Sequence, residues 1–137
     1  YISKFPIDKN EIINAILANK NNLKKILIII HLEIRKKMKI FIKKNRNQKI
    51  IILDIPLLLE NKIYNKKDIL VFVESKKKDI EKRLIKRKNF NRKLFNKFKK
   101  IQFPPSYKKS KSHFVIKNDF KKKYVKNEIK NILDKIS

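Results

Sequence analysis

None of the 137 residues is a glycine. Glycine is the residue that adopts a positive φ at no steric cost, so a chain without it must turn and end its helices by other means. Phosphate cradles of the Gly-x-x-x-x-Gly-Lys or Gly-x-Gly-x-x-Gly kind are excluded from these residues, as is a nucleophile elbow. Cysteine is absent too, which removes disulfides, thiolate metal sites and Cys nucleophiles. The length suits one domain or most of one.

Charge is the second constraint. Lys and Arg number 39 against 12 for Asp and Glu, a formal net charge of +27. Such a balance gives nonspecific affinity for polyanions. However, 34 of the basic residues are Lys and only five are Arg (Arg35, Arg46, Arg83, Arg87, Arg92). A surface selected to read nucleic acid enriches Arg, which bonds phosphate and guanine in a bidentate fork. Lys, Ile and Asn together dominate the chain, as AT-rich coding would produce. Compositional drift is therefore the better account, and no specific nucleic-acid partner is expected. A basic nucleic-acid-binding module remains the rival reading, with Phe90, Phe95, Phe98 and Phe103 set among lysines. At helical spacing, aromatics of this kind more often form core than stacking platforms.

The longest apolar runs, Ile26–Ile30 and Ile50–Leu59 (the second interrupted by Asp54 and Pro56), fall short of the ~20 residues that span a bilayer. No signal-peptide pattern is present, and the chain opens on Tyr1. The expectation is a cytoplasmic protein, not membrane-bound, whose N-terminal part precedes Tyr1.

Periodicity orders the elements. Asp8 followed by Glu11 reads as a capping box opening a helix with Ile12, Ile13, Ile16 and Leu17 on its buried stripe. A longer helix over about 22–44 carries Leu23, Ile26, Leu27, Ile30, Ile34, Met38 and Phe41 at spacings of three and four. The β-branched runs Lys49–Pro56, Asp68–Val73 and His113–Lys117 read as strands buried on both faces. Two helical patterns lie between the second and third runs. Ser75 is expected to cap the first and Asn91 the second, with Pro104-Pro105 as the stop. A last amphipathic helix presents Val125, Ile129, Ile132 and Ile136. Strands joined by helical crossovers imply an α/β fold with a parallel sheet, here read as the later two thirds of a doubly wound nucleotide-binding domain.

Three groups of residues can carry chemistry. Asp54 falls near the carboxyl end of the first run, where a carboxylate can hold Mg²⁺ through water or simply cap the next turn. The Pro56-Leu-Leu-Leu-Glu60 stretch behind it suits a loop folding over a ligand that is part apolar, part polar. Arg83 and Arg87, four apart, could clamp a phosphoryl group or form a solvated basic face. His31 sits in the long helix among apolar residues, a setting more typical of a hydrogen-bonded packing residue than of a ligand. No His or acid spacing resembles a zinc site.

Taken together and in order, several stretches resemble the dephospho-coenzyme A kinase family. They are Leu53-Asp-Ile-Pro-Leu-Leu-Leu-Glu60, Asp68 opening a Val-rich strand, Arg83 with Arg87, Gln102-Phe-Pro-Pro-Ser-Tyr-Lys108, and Phe114-Val-Ile-Lys-Asn118. Asp8-Lys9, Leu17-Ala-Asn19 and His31-Leu32 extend the likeness through the first third.

That resemblance implies a P-loop NTPase-like kinase that moves the γ-phosphoryl of ATP to the 3′-hydroxyl of dephospho-coenzyme A, with Mg²⁺. It places a helical acceptor-binding region at 1–47 and the remaining α/β core at 48–137, with a lid at about 76–105. His31, Leu57, Leu58, Glu60, Asn61 and Lys108 would line the acceptor site. Asp54 would be the Walker B-like metal residue, Arg83 and Arg87 would face the phosphates, and Asn118 would lie in the adenine-side loop. The first strand, the phosphate loop and the base Asp of the family are expected upstream of Tyr1, which makes these residues alone catalytically inert. A non-catalytic relic of the fold is the further alternative. Departures from the family pattern fall at Leu32 (Pro), Ile80 (Gln), Ser112-His113 (Ala-Asp) and Asp119-Phe120, where the family has a Gly-bearing turn. Oligomeric state is not legible.

Overall fold

The computed structural model describes Pro6 and residues 8–136. Six helices and two strands follow in the order α1 (Lys9–Ala18), α2 (Lys20–Lys44), β1 (Val71–Glu74), α3 (Lys77–Ile85), α4 (Arg92–Ile101), α5 (Pro105–Ser110), β2 (Phe114–Lys117) and α6 (Lys122–Ile136). The described residues divide into two compact units. One takes in the chain up to Ile63 together with Arg92–Lys100, and the other Tyr64–Asn91 with the chain from Ile101 on.

Side-chain amides and carboxylates do the capping in the first unit. Asp8 is the N-cap of α1 and its side chain accepts from the Asn10 amide at 3.1 Å. Asn19 ends α1 and begins α2, accepting from the Asn21 amide at 2.8 Å. Helices α1 and α2 pack together, and Ile16 and Leu23 are buried. Helix α4 belongs to this unit, and its Lys97 Nζ donates to the carbonyls of Ile16 (2.6 Å) and Leu17 (3.1 Å) at the end of α1. A cation there satisfies orphan carbonyls and complements the helix dipole, which α1 lacks any basic residue of its own to do.

The second unit is built on a two-stranded parallel sheet, Val71 opposite Phe114 and Glu74 opposite Lys117. Helix α6 packs on β2 and α5 on β1. Ile116 is the buried centre. Just before the sheet, His113 and Leu70 bond twice: the His113 amide donates to the Leu70 carbonyl at 2.8 Å, and the Leu70 amide donates to His113 Nδ1 at 2.9 Å. No described helix is long and apolar enough to cross a membrane.

The α/β class and the parallel pairing agree with the sequence. The run Lys49–Pro56 does not become a strand: among the described residues it has no ladder, and Ile52 is 81% exposed while Ile51, Leu53 and Ile55 are half-buried. A β-branched run specifies extended backbone, but a strand also needs a partner for its amides and carbonyls. Ile69, Val71 and Val73 are likewise exposed, because a sheet of two strands covers one face only. Ser75 is not the cap of α3. Lys76 takes that position, with no side-chain bond. Pro104-Pro105 not only stops α4 but opens α5, with Pro104 as N-cap and Pro105 at its first position.

Candidate functional site

In the first unit the site residues gather where α2 meets a compact turn at 56–62. The turn closes by backbone bonds from Asn61 to Leu57 (3.1 Å), Lys62 to Leu59 (3.2 Å) and Ile63 to Leu58 (2.9 Å). Leu57 and Lys62 have φ of 57° and 50°, a left-handed conformation that non-glycine residues adopt at a cost of about 1–3 kcal/mol. Three features hold it. The Asn61 side chain donates to the Leu57 carbonyl at 2.9 Å. Arg35 Nη2, from α2, donates to the Asn61 carbonyl at 2.6 Å and the Lys62 carbonyl at 3.4 Å. Ile63, 1% exposed, is the most deeply buried large side chain and anchors the turn's end.

His31 lies one helical turn before Arg35 and so on the same face of α2. It is 8% exposed, and neither ring nitrogen has a hydrogen-bond partner among the described residues. A satisfied packing histidine would have one. The hydrogen-bonded packing role expected of a lone helical His is not seen for His31 among the described residues. Leu57, Leu58, Glu60 and Asn61 are half-buried. Asp54 is exposed in the unpaired extended segment, not at the end of a buried strand, and makes no hydrogen bond among the described residues. No group of three or more potential metal ligands forms among them.

In the second unit Asn118 lies at the carboxyl ends of the parallel strands, the ligand-binding edge of open α/β sheets. The Asn118 amide, just beyond β2, donates to the carbonyl of Glu74, the last residue of β1, at 2.7 Å. Asn118 Oδ1 accepts from the Phe120 amide at 2.8 Å, and Asp119 Oδ1 from the Lys121 amide at 2.9 Å. Arg83 is on α3, which follows β1, and its Cζ lies 4.3 Å from the Phe120 ring centroid. Arg87 does not share a helical face with Arg83. Helix α3 stops at Ile85, and Arg87 sits in the turn beyond the Lys86 C-cap, its amide bonded to the Leu84 carbonyl at 3.1 Å. Lys108 is in α5, half-buried, and its carbonyl accepts from Ser112 Oγ at 2.9 Å. Its neighbour Lys109, unremarked in the sequence, pairs with Glu74 at 3.2 Å.

Comparison with known proteins decides the family. The family model for dephospho-CoA kinase matches residues 6–123. The chain belongs to the dephospho-CoA kinase family. A dephospho-CoA kinase of Wolbachia pipientis wMel is 30% identical over 133 residues, which is 96% of this chain and 68% of that protein. A second, from Wolbachia sp. subsp. Brugia malayi (strain TRS), is 28% identical over 138 residues, covering 99% of this chain and 70% of its own. That of Zymomonas mobilis subsp. mobilis is 24% identical over 112 residues, 82% of this chain and 57% of its own. The resemblance found in the sequence motifs is thus established, and the protein is a member of a phosphotransferase family.

Within that family the residues that sequence reasoning overlooked are those that hold others in place. Arg35 is one of the chain's five arginines and lies one helical turn after His31. Phe120 was visible as a departure at a family glycine. Its contact with Arg83 needed the structure.

Proposed function

We propose that this chain carries the acceptor-binding and phosphate-facing parts of an enzyme that transfers the γ-phosphoryl group of ATP to the 3′-hydroxyl of dephospho-CoA. Residues 1–47 contribute the acceptor-binding helices, 48–137 the P-loop NTPase-like core, and about 76–105 the lid. The observation that carries the reading is His31. A buried imidazole with both nitrogens unpartnered is destabilising unless something bonds to it. It lies one helical turn before Arg35, which bonds a strained turn, and strain of that kind collects at ligand sites.

In this mechanism the turn 57–62 presents apolar Leu57 and Leu58 and polar Glu60 and Asn61 to the acceptor. His31 hydrogen-bonds it from α2. Lys108, in the second unit, offers a positive charge to substrate phosphate. Arg83 and Arg87 meet the transferring phosphates, where charge-assisted bonds strengthen as negative charge develops. Asn118 offers its side-chain Nδ2 to the adenine side of ATP. The exposed, unpartnered Asp54 carboxylate suits Mg²⁺, which keeps several waters and takes few protein ligands. When bound, the ion supplies neutralisation of the phosphate charge.

The test is a coupled assay of ADP release by the full-length protein with dephospho-CoA varied. His31→Ala is expected to raise the acceptor KM at least about tenfold, the worth of one charged or well-buried hydrogen bond, with the KM for ATP little changed. Equal effects on both substrates, or none, would reject the assignment. The 137 residues by themselves, holding no Gly-based loop, are expected to show no acceptor-dependent ATP consumption.

A further inference from the structure

We infer that Phe120 is the positioning residue for Arg83, and that it does in this chain what a fixed hydrogen-bond partner would do elsewhere. The inference rests on the reading that Arg83 meets the phosphates. Arg83 is solvent-exposed on α3, and a long exposed side chain spreads over many rotamers unless something holds it. Among the described residues no carboxylate pairs with it. What lies against it is the face of the Phe120 ring, 4.3 Å from Cζ to centroid, well inside the range of a cation–π contact. An aromatic partner is well suited to this task. It fixes the plane of the guanidinium while leaving the N–H edge free to bond an anion, whereas a carboxylate would occupy that edge and cancel the charge.

The backbone supports a selected placement. Phe120 has φ of 64°, an outlier for a bulky residue. The conformation is held by the Asx bond from its amide to Asn118 Oδ1 at 2.8 Å. Asn118 is tied in turn to the end of β1 through Glu74. The ring is therefore carried by the loop after β2, and the guanidinium by the helix after β1. Both leave the same edge of the sheet, and the cation–π contact joins them.

Phe120→Gly separates the two effects, because glycine suits the backbone and abolishes the stacking. In the full-length protein we expect it to melt no lower than wild type, yet to lose about two- to fivefold in kcat/KM for ATP, the worth of a solvent-accessible cation–π contact. Phe120→Tyr, which keeps the ring, should restore the coupling. In an Arg83→Ala background Phe120→Gly should change nothing further. The Arg83 Nε–H resonance should show an aromatic ring-current shift in wild type that disappears in Phe120→Gly. If Arg83→Ala lowers kcat/KM for ATP but Phe120→Gly does not, the positioning role is wrong and the phosphate role of Arg83 stands. If Arg83→Ala is itself without effect, the phosphate role fails first and takes the inference with it.

Discussion

Two loops of this glycine-free chain hold left-handed backbone, and they hold it differently. At 57–62, Leu57 and Lys62 are kept in place by polar contacts: Arg35 on the carbonyls of Asn61 and Lys62, and the Asn61 amide on Leu57. At 118–121, Phe120 is kept by one Asx bond and by its ring against Arg83. In the first loop a framework of hydrogen bonds, from α2 and from within the turn, imposes the conformation. In the second the strained residue is itself the tool. The difference shows that a left-handed residue other than glycine can be either an imposed consequence of packing or the reason the packing is kept.

Breaking the framework of the first loop should have the largest effect. Arg35→Ala removes a charged donor from two carbonyls and is expected to destabilise the protein by about 2 kcal/mol, read as a lower urea midpoint, with a higher KM for the acceptor. An unchanged midpoint would mean that the turn holds itself. Smaller, and of opposite sign, is Lys62→Gly. The Lys62 side chain is exposed, so relieving its backbone should stabilise by about 0.5–1 kcal/mol and leave kinetics alone. Phe120→Gly, by contrast, should change ATP kinetics, and that contrast is the sharpest form of the comparison. The smallest effect belongs to Lys109→Ala. Its ion pair with Glu74 joins side chains 47% and 39% exposed, and such pairs contribute well under 1 kcal/mol. A larger loss on thermal denaturation would show that Lys109 helps to build the sheet edge next to Asn118.

Much of this was legible in the sequence, for physical reasons. Helices α1, α2 and α6 follow from a period of three to four with their caps. Strands β1 and β2 follow from β-branched runs, although each is shorter than its run. The segment 49–56 misleads because pairing is not a local property. Helix α5 was hidden because Pro104-Pro105 reads as a stop as readily as a start. Left-handed residues are usually announced by glycine, and without glycine Leu57, Lys62 and Phe120 carried no such flag. Of the candidate site, the family motifs named His31, Leu57, Leu58, Glu60 and Asn61. Their dependence on Arg35 lies in a bond spanning 26 positions, which no local pattern reveals.

Helix α4 carries a consequence for how this protein is made. Its residues Arg92–Lys100 complete the first unit, while the chain on either side of them belongs to the second. The clasp of Lys97 on Ile16 closes over 81 positions. During synthesis α1 and α2 emerge early but wait for α4, and most of the second unit's first half is translated in the interval. Non-local closure of this kind slows folding, and until α4 arrives the last carbonyls of α1 lack the Lys97 ammonium that satisfies them.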